Sequence, residues 1–223
     1  MASLTKTAEG MSFAIIFRSV IVLVLLFLLA PSVVVVLASL GPEATITFPP
    51  PSLSLKAYGA IPERFLAAFG RSLVLGLVAA LGASLLGTLA GLAIVRGRLP
   101  GKRILDLILR SPLQVPMIVS GVAFLFLYVF VANHFGINLR NSLLGLSLAH
   151  ISVVTPYVLT SVVARLATLE EALEEAAYGL GASPVQAFFL VTLPLIRPAI
   201  LGGAFLSFLI LCPLTTFPSP CFW

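Results

Sequence analysis

Two long apolar runs of the chain are separated by Glu175-Ala176-Ala177-Tyr178-Gly179-Leu180-Gly181-Ala182-Ser183-Pro184, a stretch that continues to Val191-Thr192-Leu193-Pro194. Alanine, leucine and glutamate favour a helix over residues 168–180. Gly181 stands where a helix ends in a left-handed residue. Ser183 and Pro184 supply an N-cap and a first-turn proline for a second helix, which Pro194 is expected to end. The stretch therefore predicts a polar helix–turn–helix loop over residues 168–194.

The composition indicates that the apolar runs on either side of this loop cross a membrane. Of 223 residues, 60% are hydrophobic and only 9% are charged, and the mean hydropathy is +1.15. A soluble domain needs more charge on its surface, whereas a spanning helix needs about 20 apolar residues. The sequence predicts an all-α, polytopic transmembrane helical bundle, a single domain over 1–223. Five candidate spans cover 13–40, 69–95, 104–132, 143–166 and 195–211.

Prolines and glycines divide the chain between and within these spans. The proline-rich segment 41–62 is too polar to cross and predicts an external loop, either a plain connector or a contact for a partner. Pro112 and Pro116 interrupt the third span, which leaves a simple kink and a pathway-lining break both open. Gly87 and Gly91 form a Gly-x-x-x-Gly pattern in the second span, which predicts close helix packing without specifying a dimer.

The basic residues indicate the orientation, because lysine and arginine concentrate on the cytoplasmic side. With a cytoplasmic N-terminus, nine basic residues lie inside the cell or at the inner ends of spans: Lys6, Arg18, Arg96, Arg98, Lys102, Arg103, Arg110, Arg165 and Arg197. Four lie outside: Lys56, Arg64, Arg71 and Arg140. This bias places the acidic loop in the cytoplasm. The net charge of +5 is explained by membrane topology, and nucleic acid is not predicted as a partner.

The sequence contains no motif for bond chemistry or for a metal. Cys212 and Cys221 have neither metal-ligand spacing nor a nearby histidine. An intramembrane hydrolase would have to combine His150 with Ser147 or Ser152, and no nucleophile motif surrounds either serine. His150 is instead expected to be satisfied by a hydrogen bond. No catalytic residue, metal or cofactor is predicted, and the substrate-binding residues are unknown.

The acidic loop is predicted to be a docking surface. Glutamates cover one side of the first helix (Glu170, Glu171, Glu174 and Glu175) and apolar residues cover another (Leu169, Leu173, Ala176 and Leu180). An amphipathic helix lying on lipid is usually basic, matching anionic headgroups. A protein groove with a basic lining is therefore the favoured partner, and the small Ala176 and Ala177 would permit its close approach.

The spacing of Glu175-Ala176-Ala177, Gly181, Val191 and Leu193-Pro194 resembles the cytoplasmic loop signature of permease subunits in binding-protein-dependent ABC importers. Val191 stands where isoleucine is usual. Two further features resemble permeases of the spermidine/putrescine type. One is the turn Arg96-x-x-x-Pro100-Gly101-Lys102-Arg103, and the other is the pair of prolines in the third span. The resemblance covers about residues 18–211.

This resemblance implies a six-helix, multi-pass permease of the bacterial inner membrane that moves a small solute, with a polyamine favoured. It implies two ATP-binding cassette ATPase subunits, a second homologous permease subunit, a periplasmic solute-binding protein and membrane lipid as partners. ATP hydrolysis would occur in the partners, so the chain itself is not an enzyme. The implied ATPase-docking residues are Glu171, Glu174, Glu175, Ala176, Ala177, Gly181, Val191, Leu193 and Pro194.

The tail 212–223 departs from this family, which continues its fifth span into an Asp-Asp-Phe stretch and a sixth span. One choice of codons for residues 215–223, with a G placed in front and the frame shifted by one base, gives Asp-Asp-Phe-Pro-Val-Ser-Leu-Phe-Leu. Our hypothesis is a frameshifted or early-ended reading frame, with five of an expected six spans present and an aberrant tail. A non-transporting remnant of a permease is the corresponding alternative function.

Overall fold

The computed structural model describes residues 2–42, 48–97, 99–140 and 142–216. Within these ranges the regular structure is helical throughout, which confirms the all-α prediction. The helices are α1 (Ala2–Ser39), α2 (Lys56–Gly59), α3 (Glu63–Val95), α4 (Lys102–Arg110), α5 (Met117–Phe135), α6 (Leu143–Ala167), α7 (Ala172–Gly179), α8 (Pro184–Ala187) and α9 (Leu193–Thr216). A 3₁₀ turn covers Ser111–Leu113 and a π turn covers Phe188–Thr192.

Five helical segments in the described part of the chain are long and apolar enough to cross a membrane, which confirms the polytopic fold. They are Ile15–Ser39, Glu63–Val95, Met117–Phe135, Leu143–Ala167 and Pro184–Leu211. The second begins at Glu63 rather than at the predicted residue 69. Its first turns carry Arg64 and Arg71, whose long side chains can keep their charges in water while their stems lie along apolar surface.

The third predicted span, 104–132, is wrong in its first half. The chain forms the short helix α4, a 3₁₀ turn and an extended break, and the spanning helix α5 begins only at Met117. Pro116 is the N-cap residue, with ψ at 137°. Proline has no N–H to continue the helix, and it disfavours helical geometry at the residue before it. Met117–Phe135 is nevertheless long enough to cross alone.

The last span also differs from its prediction at both ends. Pro194 does not end the second loop helix, because α8, the π turn and α9 follow one another without a gap. Proline is tolerated there because it occupies the first turn of α9. The tail was predicted to be non-helical from Cys212, but α9 continues to Thr216. Residues 217–223, the rest of that tail, lie outside the described residues.

The chain divides into two compact units, Met1–Glu63 and Arg64–Trp223. In the first unit, the proline-rich segment folds back on the end of α1. The Ser54 N–H donates to the Leu40 carbonyl at 2.7 Å, and the hydroxyls of Ser39 and Tyr58 lie 2.7 Å apart. These two hydrogen bonds hold the described parts of the proline-rich segment to the helix that precedes it.

The core of the second unit is built around α6. Val154, Val158, Val162 and Leu166 recur every four residues on one face of that helix, and all are fully buried. They pack with residues from α3 and α9, namely Ala79, Ala83, Ile196 and Leu211. This arrangement brings the ends of three spans together beside the acidic loop.

Glycines on both neighbours of α6 allow these helices to approach closely. A Cβ on Gly87 of α3 would lie 2.9 Å from Val158 Cβ, and one on Gly91 would lie 2.9 Å from Val162 Cγ1. A Cβ on Gly203 of α9 would lie 2.8 Å from Val158 Cα. The prediction of close packing from Gly87 and Gly91 is thus confirmed, and the partner is a helix of the same chain.

Candidate functional site

The turn at Gly181 has the left-handed geometry that the sequence predicts. Gly181 adopts φ +88°, its N–H donates to the Tyr178 carbonyl at 2.9 Å, and the Ala182 N–H donates to the Ala177 carbonyl at 3.0 Å. This pair of hydrogen bonds is the Schellman arrangement that ends a helix. The helix itself begins later than predicted, at Ala172 rather than at residue 168, and residues 168–171 form a non-helical connection after α6.

The second loop helix begins at a reciprocal cap, as the Ser183-Pro184 pair predicts. The Gln186 N–H donates to Ser183 Oγ at 3.3 Å, and the Ser183 N–H donates to Gln186 Oε1 at 2.8 Å. Each hydrogen bond satisfies a backbone donor that the first turn of a helix would leave unpaired. The direction of the chain is therefore fixed by local contacts at both helix ends of the loop.

Two of the four loop glutamates are bound within the chain by Arg96, which follows the end of α3. Arg96 Nη1 donates to Glu171 Oε1 at 2.8 Å, and Arg96 Nη2 donates to the Leu169 carbonyl at 3.1 Å. Arg96 Nε lies 3.4 Å from Glu174 Oε1, an ion pair without hydrogen-bond geometry. We call Arg96, Leu169, Glu171 and Glu174 the Arg96 cluster. Sequence analysis missed it, because no local pattern pairs residues so far apart.

Glu174 also joins the loop to the start of the last span. Its Oε1 accepts a hydrogen bond from Thr192 Oγ1 at 2.9 Å, and Thr192 in the π turn is only 4% exposed. On the other side of the loop, Leu169 packs against the α6 core. The predicted acidic face is therefore divided, since Glu171 and Glu174 bind the ends of neighbouring spans.

Glu175 lies on the outward face of α7. Glu174 and Ala177, three residues apart, are half-buried and mark the side of the helix that faces the chain. The opposite face is exposed and consists of Ala172, Glu175, Ala176 and Gly179. It presents one carboxylate among residues with small or no side chains, so a partner surface can reach the helix backbone closely.

Large apolar side chains beside this face are exposed as well. Leu180 is 91% exposed at the turn, and the other exposed members are Leu173, Tyr178, Val185 and Phe189. Together with Glu175 we call them the exposed loop residues. Leu173, Tyr178 and Leu180 precede the last candidate span, whereas Val185 and Phe189 lie in its first turns. Large exposed apolar groups of this kind mark sites of interaction with proteins or membranes.

The remaining predicted docking residues lie in or beside the helical run that leads into the last span. Val191 is half-buried in the π turn, and Leu193 packs against the α6 core. Pro194 is exposed, in the first turn of α9. The structure therefore places Val191 and Leu193 where they connect the loop to the span, and Glu175 and Ala176 where a partner could touch them.

The polar residues considered for hydrolysis bind their own helix instead. His150 Nδ1 lies 2.7 Å from the Leu146 carbonyl, as expected for a satisfied histidine, and Ser147 Oγ donates to the Leu143 carbonyl at 2.7 Å. In the described residues, no hydrogen bond joins His150 to Ser147 or Ser152. A nucleophile and its base need such a contact, so this geometry gives the hydrolase alternative no support.

A cavity of about 190 Å³ lies at the proline break of the third span. Its walls come from the break itself, from α5 and from α6, and they include Pro112, Val119 and Phe124. Its polar lining consists of three serines, Ser111, Ser120 and Ser152. Broken helices in transporters often border a solute pathway, and this wall offers hydroxyl groups without a charged side chain.

Comparison with known proteins finds matches over most of the chain. A family model described as "Binding-protein-dependent transport system inner membrane component" matches residues 83–219. The putrescine transport system permease protein PotI of Escherichia coli K12 is 35% identical over 185 residues, 82% of this chain and 66% of the relative. The sulfate transport system permease protein CysT of Synechocystis is 32% identical over 197 residues, 84% of this chain and 65% of the relative.

The chain spans about two thirds of the length of these relatives. The family match begins within α3 and continues through the acidic loop, so it includes the Arg96 cluster and the exposed loop residues. The chain therefore belongs to the family of inner membrane components of binding-protein-dependent transport systems.

Proposed function

We propose that the chain is the transmembrane permease subunit of an ABC importer, and that the loop 168–194 docks a separate ATPase. Membership of a transport permease family supports the first part. The observation that carries the second is the position of Glu175, exposed on the small-residue face of α7 beside exposed apolar side chains. A basic groove with an apolar lining would complement this face in both charge and shape.

The permease contributes mechanical coupling, and the partner ATPase performs the hydrolysis. A partner bound to α7 also acts on α9. Glu174 of α7 accepts a hydrogen bond from Thr192 in the π turn, and the π turn leads directly into α9. Closure of two ATPase subunits would then move the loops of two paired permeases, and the spans would change their tilt. Partners in this proposal are two ATPase subunits, a second permease and an external solute-binding protein.

A polyamine is the cargo that we propose. The relatives named for putrescine and for sulfate carry solutes of opposite charge, and the putrescine permease has the higher identity, 35% against 32%. The cavity at the proline break has no charged residue in its lining and so does not select the charge of a solute. In this proposal the solute-binding protein makes that selection. Uptake of labelled putrescine and of labelled sulfate by the assembled transporter distinguishes the two, and uptake of sulfate alone would refute a polyamine cargo.

The topology that we propose places the N-terminus and the acidic loop together on the cytoplasmic side of a bacterial inner membrane. Four candidate spans separate them, and an even number of crossings returns the chain to its starting side. The excess of basic residues on that side supports the sidedness. In this topology the loop is an insertion between the last two candidate spans.

Replacing Glu175 by lysine tests the docking role. We expect Glu175→Lys to lower both the amount of ATPase that purifies with the permease and solute uptake, because it places like charge against a basic groove. Membrane insertion should be unchanged, since the side chain is exposed and outside the spans. Glu63→Lys, an equal charge change at the first residue of α3, is the matched control. Normal ATPase recovery with Glu175→Lys would show that this face is not the docking surface.

A further inference from the structure

The acidic loop is anchored at a point that neither the loop signature nor the docking proposal explains. Arg96 is the first residue after α3, and its N–H still donates to the Leu92 carbonyl of that helix at 2.9 Å. Its side chain reaches the loop residues that precede α7 and the first turn of α7. The end of the second span is thus bound directly to the loop.

Two of the three side chains in these contacts are largely shielded from solvent. The Arg96 side chain is 17% exposed and that of Glu174 is 21% exposed, whereas that of Glu171 is 71% exposed. Water screens a shielded pair less than it screens a surface pair. Arg165, near the end of α6, is the basic residue closest in sequence to the loop glutamates. Its Nε donates to the Leu195 carbonyl at 3.1 Å rather than to a loop carboxylate. Within the described residues, Arg96 is the cation that neutralises both Glu171 and Glu174.

The three contacts need a guanidinium group. Nη1, Nη2 and Nε face three different oxygens: a carboxylate, a backbone carbonyl and a second carboxylate. A planar group with five N–H donors can reach all of them from one position, whereas a lysine ammonium is a single point charge. Ion pairing alone would leave the Leu169 carbonyl contact unexplained.

Glu174 makes the cluster a junction between two spans. The same oxygen, Oε1, lies 3.4 Å from Arg96 Nε and accepts from Thr192 Oγ1 at 2.9 Å. The end of α3, the first turn of α7 and the π turn before α9 therefore meet at one carboxylate. As long as Glu174 keeps its contacts with Arg96 and Thr192, a displacement of α7 would therefore act on both α3 and α9.

We propose that Arg96 is a positioning residue that makes α7 and the end of α3 move together, so that loop displacement reaches the second span as well as the last. This inference rests on the proposed docking of an ATPase to the loop. Arg96 need not touch the ATPase or the solute. It acts through Glu171, Glu174 and the Leu169 carbonyl.

The experiment measures loop order and energy coupling separately in the assembled transporter. A spin label at Tyr178→Cys, with Cys212 and Cys221 replaced by serine, reports the mobility of α7. The second readout is measured in unlabelled chains that keep Tyr178, because Tyr178 is one of the exposed loop residues. It is the amount of solute taken up per ATP hydrolysed, using whichever of putrescine and sulfate the unsubstituted transporter accepts. The variants are Arg96→Ala and Arg96→Lys, and Arg103→Ala removes an exposed positive charge nearby as the matched control.

Arg96→Ala should mobilise the label and lower uptake per ATP while the ATPase stays bound. Arg96→Lys should restore part of both effects, because it keeps the charge and loses the planar fork. Arg103→Ala should resemble the unsubstituted protein. An immobile label in Arg96→Ala, or a mobile label with unchanged uptake per ATP, would overturn the proposal.

A second variant covers the case in which Arg96→Ala fails to accumulate in the membrane. Glu174→Gln keeps an oxygen for Thr192 and removes the charge that faces Arg96, and it should also mobilise the label. An unaltered spectrum would count against the cluster. Failure here is distinguishable from failure of docking: normal ATPase recovery with Glu175→Lys refutes docking, whereas an insensitive α7 label refutes the role of Arg96 even where docking holds.

Discussion

At the scale of single residues, the loop combines signals that are readable in sequence with one that is not. Gly181 and Ser183 act on neighbours within a few positions, so their geometry follows from residue type and spacing, and the structure confirms both. Arg96 acts on Glu171, which is 75 positions away. Three other loop glutamates offered the same charge, so the sequence could not select the partner. Sequence analysis placed Glu175 on the acidic face, but it could not show that Glu175 faces outward while Glu171 and Glu174 are bound by Arg96.

The first residue-scale prediction concerns backbone strain at Gly181. Gly181→Val should destabilise the end of α7 by about 1 kcal/mol or more, because β-branched residues disfavour positive φ. No neighbour lies within 4 Å of the added Cβ, so the cost comes from the backbone alone. Amide hydrogen exchange at Ala182 should quicken about fivefold for each 1 kcal/mol lost.

Gly179→Val is the control for this substitution. Gly179 is also open to a Cβ, and it lies in α7 without a positive φ. Valine has the better helix propensity of the two, so exchange near Gly179→Val should not increase. Equal effects of the two substitutions would contradict the assignment of strain to residue 181.

At the scale of elements, proline was the signal that sequence reasoning weighed wrongly. The helix is interrupted at Pro116 but continues through Pro194, although both prolines follow apolar residues. The difference lies in the structure on either side of each proline. Pro116 caps a helix that starts afresh, whereas Pro194 sits in the first turn of α9 directly after a π turn. A π turn depends on the packing of its side chains, here with Thr192 buried, and no local motif announces it.

Packing of α9 against α6 gives the element-scale prediction. Gly203→Ala should lower the free energy of unfolding by about 1–3 kcal/mol, which would be seen as a lower thermal unfolding midpoint of the purified protein in detergent. The added Cβ would lie 2.8 Å from Val158 Cα, a backbone atom that cannot turn aside. Gly202→Ala, one position away with nothing within 4 Å, should be neutral or stabilising. Equal midpoints for the two variants would show that the helices are not in close contact at Val158.

At the scale of the whole molecule, composition alone predicted an all-α membrane bundle, because a chain with 9% charged residues cannot cover a soluble surface. The number of spans in the described residues follows from the same hydropathy. Hydropathy does not predict which helices pack together, since α3, α5 and α9 are all apolar. The choice is made by small residues such as Gly87 and Gly203, whose fit against Val158 depends on the fold of the whole unit.

Sidedness is the prediction that belongs to this scale. In a chain without Cys212 and Cys221, Leu53→Cys should react with a membrane-impermeant maleimide in intact spheroplasts, and Tyr178→Cys should react only after permeabilisation. Both positions are exposed, so access to the reagent depends on the side of the membrane. The reverse pattern would place the acidic loop outside and remove the ATPase from the proposed mechanism.

The π turn at Phe188–Thr192 has a consequence for how the chain tolerates changes in length. An i→i+5 hydrogen bond encloses one residue more than the i→i+4 bond of an α-helix, so this turn holds one surplus residue without rotating the helices on either side. Losing a single residue here would convert the turn to regular α-helix and leave the loop and the last span facing as before. The same loss within α9 would swing every side chain before it by about 100° relative to those after it. Within this family, single-residue gaps between the loop and the span should therefore accumulate at these five positions.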